Sequence, residues 1–82
     1  MDRVIFRKWN KGGAIIAILP DEPTRGYPIV GAYEHVGQHG DADYWGILER
    51  TKPAQPAEYH DLLEELKSIG YEPRIMQKLN RY

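Results

Sequence analysis

Apolar residues fall into short clusters along the chain, and the spacing inside each cluster predicts a different element. Val4 to Trp9 and Ala14 to Leu19 are strand-length runs rich in β-branched and aromatic side chains. Between them lies Asn10-Lys11-Gly12-Gly13, whose glycines take positive φ at low cost, so the pair predicts a β-hairpin. Pro20, Asp21, Glu22, Pro23 and Gly26 form a breaker cluster after the second run. Ile29 to Val36 predicts a third strand, interrupted by Gly31. Gly37 to Asp43 reads as a polar loop, Tyr44 to Glu49 as a short fourth strand, and Lys52-Pro53-Ala54-Gln55 as a connector.

One segment changes period. Tyr59, Leu62, Leu63, Leu66 and Ile69 recur at i, i+3, i+4, i+7 and i+10, which is one face of a helix over 56–69. Pro56 suits the first helical position, where its missing N–H costs nothing, and Glu58 and Asp61 favour the positive end of the helix dipole. Gly70 stands where a left-handed cap is needed, Tyr71 is placed to fold back on Leu66, and Pro73 prevents continuation. Arg74 to Leu79 predicts a last strand. Strands that precede the helix instead of alternating with it indicate α+β: a small, mostly antiparallel sheet, β-β-β-(β)-α-β, with one amphipathic helix on one face. The 82 residues make a single domain over 1–82. A domain this small buries only about 60% of the surface its unfolded chain exposes, which leaves little room for a deep catalytic cavity.

Composition narrows the chemistry. With no cysteine, disulfides and thiolate metal sites are excluded, and a reducing compartment is the natural expectation. The longest apolar run, Ala14 to Leu19, is far short of the roughly 20 residues that span a bilayer. The first residues carry no signal-peptide apolar core. The expectation is a cytoplasmic protein with no membrane partner. Residues 1–11 hold Arg3, Arg7, Lys8 and Lys11 against Asp2, a balance of +3. Residues 12–70 hold four basic and ten acidic residues, a balance of −6, and residues 71–82 are +2. A polarised pattern of this kind concerns partners, not fold.

Three chemistries compete for these charges. The first is catalysis. Besides tyrosines, the only hydroxyl side chains are Thr24, Thr51 and Ser68, with no nucleophile elbow and no phosphate-binding glycine loop. The stretch Glu34-His35-Val36-Gly37-Gln38-His39-Gly40-Asp41-Ala42-Asp43-Tyr44-Trp45 does gather imidazoles and carboxylates, which are ligands for zinc and similar metals, with His60 as a further candidate. Gly37 and Gly40, however, deny His35 and His39 the helix that gives H-x3-H its meaning, and local capping explains the same residues. The expectation is no catalytic residue, no metal and no cofactor, and the small metal-dependent enzyme ranks third. The second chemistry is nucleic-acid binding by a basic face of Arg3, Arg7, Lys8, Arg74, Lys78 and Arg81, with Trp9 and Tyr82 as stacking groups. It ranks second, because a net charge of −1 is unusual for a dedicated binder.

The third is a basic protein partner. Glu34, His35, His39, Asp41, Asp43, Tyr44 and Trp45 form the candidate partner-binding set, combining acids with the aromatic types that anchor interfaces. DNA carries one charge per 1.7 Å of axis, and −6 over 59 residues is far more dilute. The pattern fits a mixed acidic and aromatic patch better than full DNA mimicry.

Val4-Ile5-Phe6-Arg7-Lys8-Trp9, Tyr33-Glu34-His35-Val36-Gly37-Gln38-His39-Gly40, Ala42-Asp43-Tyr44 and Leu66-Lys67-Ser68-Ile69-Gly70-Tyr71 resemble a group of small uncharacterised proteins carried on bacterial plasmids, integrated elements and phages. The resemblance brings no activity and no functional residues. It implies a setting: a free-standing, non-enzymatic accessory factor, with an anti-CRISPR-type inhibitor of a host protein complex as its concrete class.

Overall fold

The structure, a computed structural model, describes residues 2–21, 26, 29–34 and 38–76; at Asp2, Gln38, His39 and Asp41 it describes the backbone alone. The fold is α+β. Eight elements follow one another: β1 (Asp2–Trp9), β2 (Ile15–Leu19), β3 (Ile29–Glu34), β4 (Gln38–Asp43), α1 (Tyr44–Arg50), β5 (Thr51–Pro53), α2 (Pro56–Ser68) and β6 (Pro73–Met76).

β1 and β2 form the expected hairpin, with Ile5 opposite Ile18 and Phe6 opposite Ala17. Gly12 and Gly13 turn it at φ of 88° and 74°, a region that side-chain-bearing residues avoid. The meander continues through β3 and β4, antiparallel throughout, in the order β4-β3-β2-β1-β5. The far edge of β1 is shared. β5 pairs antiparallel with Arg7 to Trp9, and β6 pairs parallel with Asp2 to Ile5.

Alternate residues of the central strands feed two cores. On one face Ile5, Ile16, Ile18, Val30 and Ala32 pack with Tyr44 and Ile47 of α1. On the other, Val4, Phe6, Ala17, Leu19 and Tyr33 pack with Leu62 and Leu66 of α2. The sheet is therefore covered on both faces, by a helix on each. This corrects the single-helix expectation. Residues 44–49 are helical, not a fourth strand; the fourth strand is Gln38–Asp43, within the segment read as a loop; and Lys52 and Pro53, expected in a connector, pair with β1 as part of a strand that begins at Thr51.

The chain passes from β4 to α1 to β5 with no linking residue. β4 and β5 lie at opposite ends of the order, four strand spacings or about 19 Å apart in a flat sheet. A helix of seven residues spans only about 10 Å. The sheet must curl around α1 to bring its two ends within reach.

α2 is built as its sequence predicts. Pro56 opens it, and the Gln55 backbone N–H donates to Glu58 Oε1 at 2.9 Å. At its end Gly70 takes φ 107° while the Tyr71 N–H donates to Leu66 O at 3.1 Å and the Gly70 N–H to Lys67 O at 3.2 Å, a Schellman motif. Phe6 stacks on Tyr59 with centroids 4.3 Å apart. Tyr59 and Leu63 are half-buried beside Leu62 and Leu66. Ile69 departs from the expectation. It caps the helix instead of facing the sheet and is 50% exposed. The last strand is seen over Pro73–Met76; residues 77–79 of the predicted span lie outside the described residues.

Leu66 is fully buried, so Leu66→Ala is expected to cost about 2–5 kcal/mol. Ile69→Ala at the exposed cap is expected to cost less than about 1 kcal/mol. Urea denaturation of both variants measures the difference.

Candidate functional site

The segment singled out in the sequence runs from the end of β3, through β4, into α1. At Glu34 the carboxylate is half-buried and accepts a hydrogen bond from Trp9 Nε1 at 3.2 Å, tying the end of β3 to the end of β1. His35 lies outside the described residues. His39 and Asp41 occupy β4 positions opposite Tyr33 and Gly31. Asp43 ends β4 opposite Ile29 and is the exposed cap residue of α1. Its carboxylate lies over the first turn, where a Cβ added at Gly46 would come within 3.1 Å of Oδ2.

The two aromatic residues separate. Tyr44 is 1% exposed and belongs to the core, so it is not part of an accessible surface. Trp45 is 39% exposed and meets the Tyr44 ring edge to face at 5.2 Å. Glu49, one turn further along α1, is also exposed. Asp43, Trp45 and Glu49 are thus all exposed over the short span from the end of β4 through α1, with Trp45 and Glu49 one turn apart, while Tyr44 is buried beneath and Glu34 is engaged by Trp9.

α1 is too short to be helical by propensity alone, and two residues not singled out as a pair hold its far end. Arg7, on the face of β1 that meets α1, donates from Nε to Thr51 Oγ1 at 2.9 Å and from Nη2 to Thr51 O at 2.8 Å and Leu48 O at 3.5 Å. The Thr51 hydroxyl in turn donates to Ile47 O at 2.7 Å. Together they satisfy carbonyls that the helix end leaves without partners. Burial lowers the Arg7 guanidinium from its ordinary value, and Tyr44 opposes that shift. No sequence motif marks this cluster, because its members are 44 residues apart.

The basic strand residues have internal partners. The Arg3 side chain donates to Asp21 Oδ1 at 2.9 and 2.8 Å, and the Arg3 backbone N–H donates to Oδ2 at 2.9 Å. Lys8 forms a close ion pair with Glu58 at the start of α2. Arg7 turns toward α1. Trp9 packs against the core. β1 and β6 are neighbours, as a basic terminal face requires, and Arg74 is exposed. Lys78, Arg81 and Tyr82 lie outside the described residues.

Hydroxyl chemistry is equally committed. Thr51 is buried in the network just described, and Ser68 donates to Glu65 O at 2.6 Å. Thr24 lies outside the described residues. Among the described residues no three His, Asp or Glu side chains are grouped to hold a metal ion, and His60 is exposed on α2. No helix among them is long and apolar enough to cross a membrane. No protein-family model, curated protein or solved structure matches this chain.

The Arg3 and Lys8 pairs contribute to the acid behaviour. Hydrogen bonds from the Arg3 side chain and backbone hold Asp21 below the ordinary carboxylate range. Hydrogen bonds from Lys8 and from the Gln55 N–H do the same for Glu58. The unfolded chain therefore binds protons at these groups more readily, and stability rises with pH through the carboxylate range and falls as acid protonates the folded pairs. The double variant Asp21→Asn/Glu58→Gln is expected to show a shallower fall in urea midpoint than the native chain between about pH 6 and pH 2. Parallel acid limbs would assign the acid sensitivity to other carboxylates.

Proposed function

We propose that this chain is a small non-enzymatic binding protein that occludes a basic surface of a host protein complex, with an anti-CRISPR or other anti-defence inhibitor from a mobile element, acting in the cytoplasm, as its concrete form. The observation that carries the reading is Trp45: a large indole 39% exposed on a helix whose neighbouring Tyr44 and Ile47 are locked in the core. An aromatic held this way loses little freedom on binding and has the character of an interface anchor. Asp43 and Glu49 flank it with carboxylates, which would steer a lysine- and arginine-rich partner toward the indole.

The competing reading is a nucleic-acid-associated accessory protein using the basic terminal strands. The adjacency of β1 and β6 favours it. The engagement of Arg3, Arg7 and Lys8 by groups within the fold counts against it, since a phosphate would have to displace those partners.

A pull-down from the native host, read by mass spectrometry, supplies the partner. Affinities of variants then separate the two readings. Trp45→Ala is expected to weaken binding by about 2 kcal/mol, or roughly 30-fold, at a temperature where the melting curve shows the variant still folded, since the lost contact with Tyr44 also lowers stability. Asp41→Lys with Asp43→Lys is expected to weaken it by about tenfold or more, chiefly by slowing association. Arg74→Glu with Lys78→Glu should leave it nearly unchanged. Loss of binding in the last variant alone would replace this reading with a basic-face interface.

A further inference from the structure

The two ends of the sheet are protected against further strand pairing to very different degrees. At one end β5 is three residues long and contains Lys52 and Pro53, and β6 is four residues long, begins at Pro73 and exposes Arg74. Short length, proline and cations are the features by which sheet edges resist another chain. At the other end β4 runs six residues, Gln38–Asp43, without a proline, lysine or arginine. It ends the strand order and, among the described residues, pairs only with β3. Gly40 in its middle has no side chain, and a Cβ added there would meet nothing within 4 Å, so the sheet face beside that edge is uncrowded.

We propose that the outer edge of β4 receives an extended, lysine- or arginine-bearing segment of the partner protein as an added strand, an inference that rests on the Asp43–Trp45 corner being the partner surface. An edge strand offers a row of backbone N–H and C=O groups, and strand addition draws affinity from them while alternate side chains set specificity. Charge selects the occupant. Asp41 and Asp43 stand on β4 with no cation, so two copies of β4 laid edge to edge would gather four aspartates, and like charges across strands are destabilising. A second copy of this chain is thereby disfavoured, and a segment with cations at alternate positions is favoured. Six residues extend for about 20 Å, enough for two or three cross-strand side chains on each face. Trp45 lies two residues beyond the strand end, where an incoming cation or apolar side chain can meet the exposed indole.

The test is amide hydrogen exchange followed by NMR on the whole 82-residue chain. The probe is an eight-residue peptide alternating lysine with valine and threonine, and the control carries glutamate for lysine. The lysine peptide is expected to slow exchange at alternate amides within 38–43 by about tenfold or more, and the glutamate peptide is not. Asp41→Lys with Asp43→Lys should abolish the slowing while the amides of Val4, Ile18 and Leu66 stay protected. If those core amides lose protection, Asp43→Asn alone serves, with an expected weakening of about threefold. N-methylation of the lysine peptide along one edge should remove the slowing, and along the other should leave it. Absence of slowing at every β4 amide, equal slowing by the glutamate peptide, or indifference to N-methylation on both edges overturns strand addition. A native partner that still depends on Trp45 and Asp43 without protecting β4 would leave the corner reading standing and this inference alone refuted.

Discussion

Everything in this fold depends on β1 being satisfied on four sides at once. A central strand needs hydrogen-bond partners along both edges and cover over both faces, because buried backbone and apolar groups tolerate no vacancy. β2 fills one edge along most of its length. The other edge is divided between β5 and β6, which reach β1 from different parts of the chain and in opposite directions. The two faces are filled by two helices. Val4 and Phe6 turn to α2, while Ile5 and Arg7 turn to α1. Short elements that would be unstable alone become ordered because each supplies a part β1 requires.

That dependence explains which parts of the fold were legible in the sequence. The β1–β2 hairpin and α2 declare themselves locally, through runs, glycines, a proline and the i, i+3, i+4 spacing, so they can be read before any tertiary contact is known. α1 carries a similar but weaker signal: Tyr44, Ile47 and Leu48 follow helical spacing over barely two turns. Read in isolation, the aromatic and β-branched content of 44–49 points to a strand. The decisive clue lies elsewhere. Val4-Ile5-Phe6 and Ile16-Ala17-Ile18-Leu19 are continuous apolar runs, and a strand with one solvated face would alternate. Continuous runs demand cover on both faces, and α2 can supply only one. The loop expectation failed over 38–43 for the opposite reason; Gly37 lies outside the described residues. The segment's polar, glycine-containing composition suits an edge strand that adds little to either core, a role set by its pairing with β3 and not by its own residues.

The candidate site was legible in part, and along the same line. Asp43 and Trp45 stand together in the sequence and on the surface. Tyr44, equally eligible by residue type, is removed from that surface by a single step of helical rotation, which no composition argument reaches. Glu34 is drawn off by Trp9, 25 residues away. The polarised charge pattern also changes meaning once pairs are visible. Three of the N-terminal cations act within the fold, two as partners of Asp21 and Glu58 and one as the clasp on α1. The basic strand therefore serves to fasten the acidic segments around it as well as to present charge.

The clasp joins stability to the surface. Arg7 is fixed on β1 by strand pairing, Thr51 begins β5 and bonds back to Ile47, and between them they hold the end of a helix only seven residues long. Trp45 is carried by that helix. A helix this short, freed at its last carbonyls, would fray toward its first turn, and the indole would sample many positions instead of one. The entropy cost of ordering the indole is met in folding, through a guanidinium whose burial lowers its own proton affinity. The position of the exposed tryptophan is thus decided on the far side of the sheet's order, at the strand where the chain begins to fold back on itself.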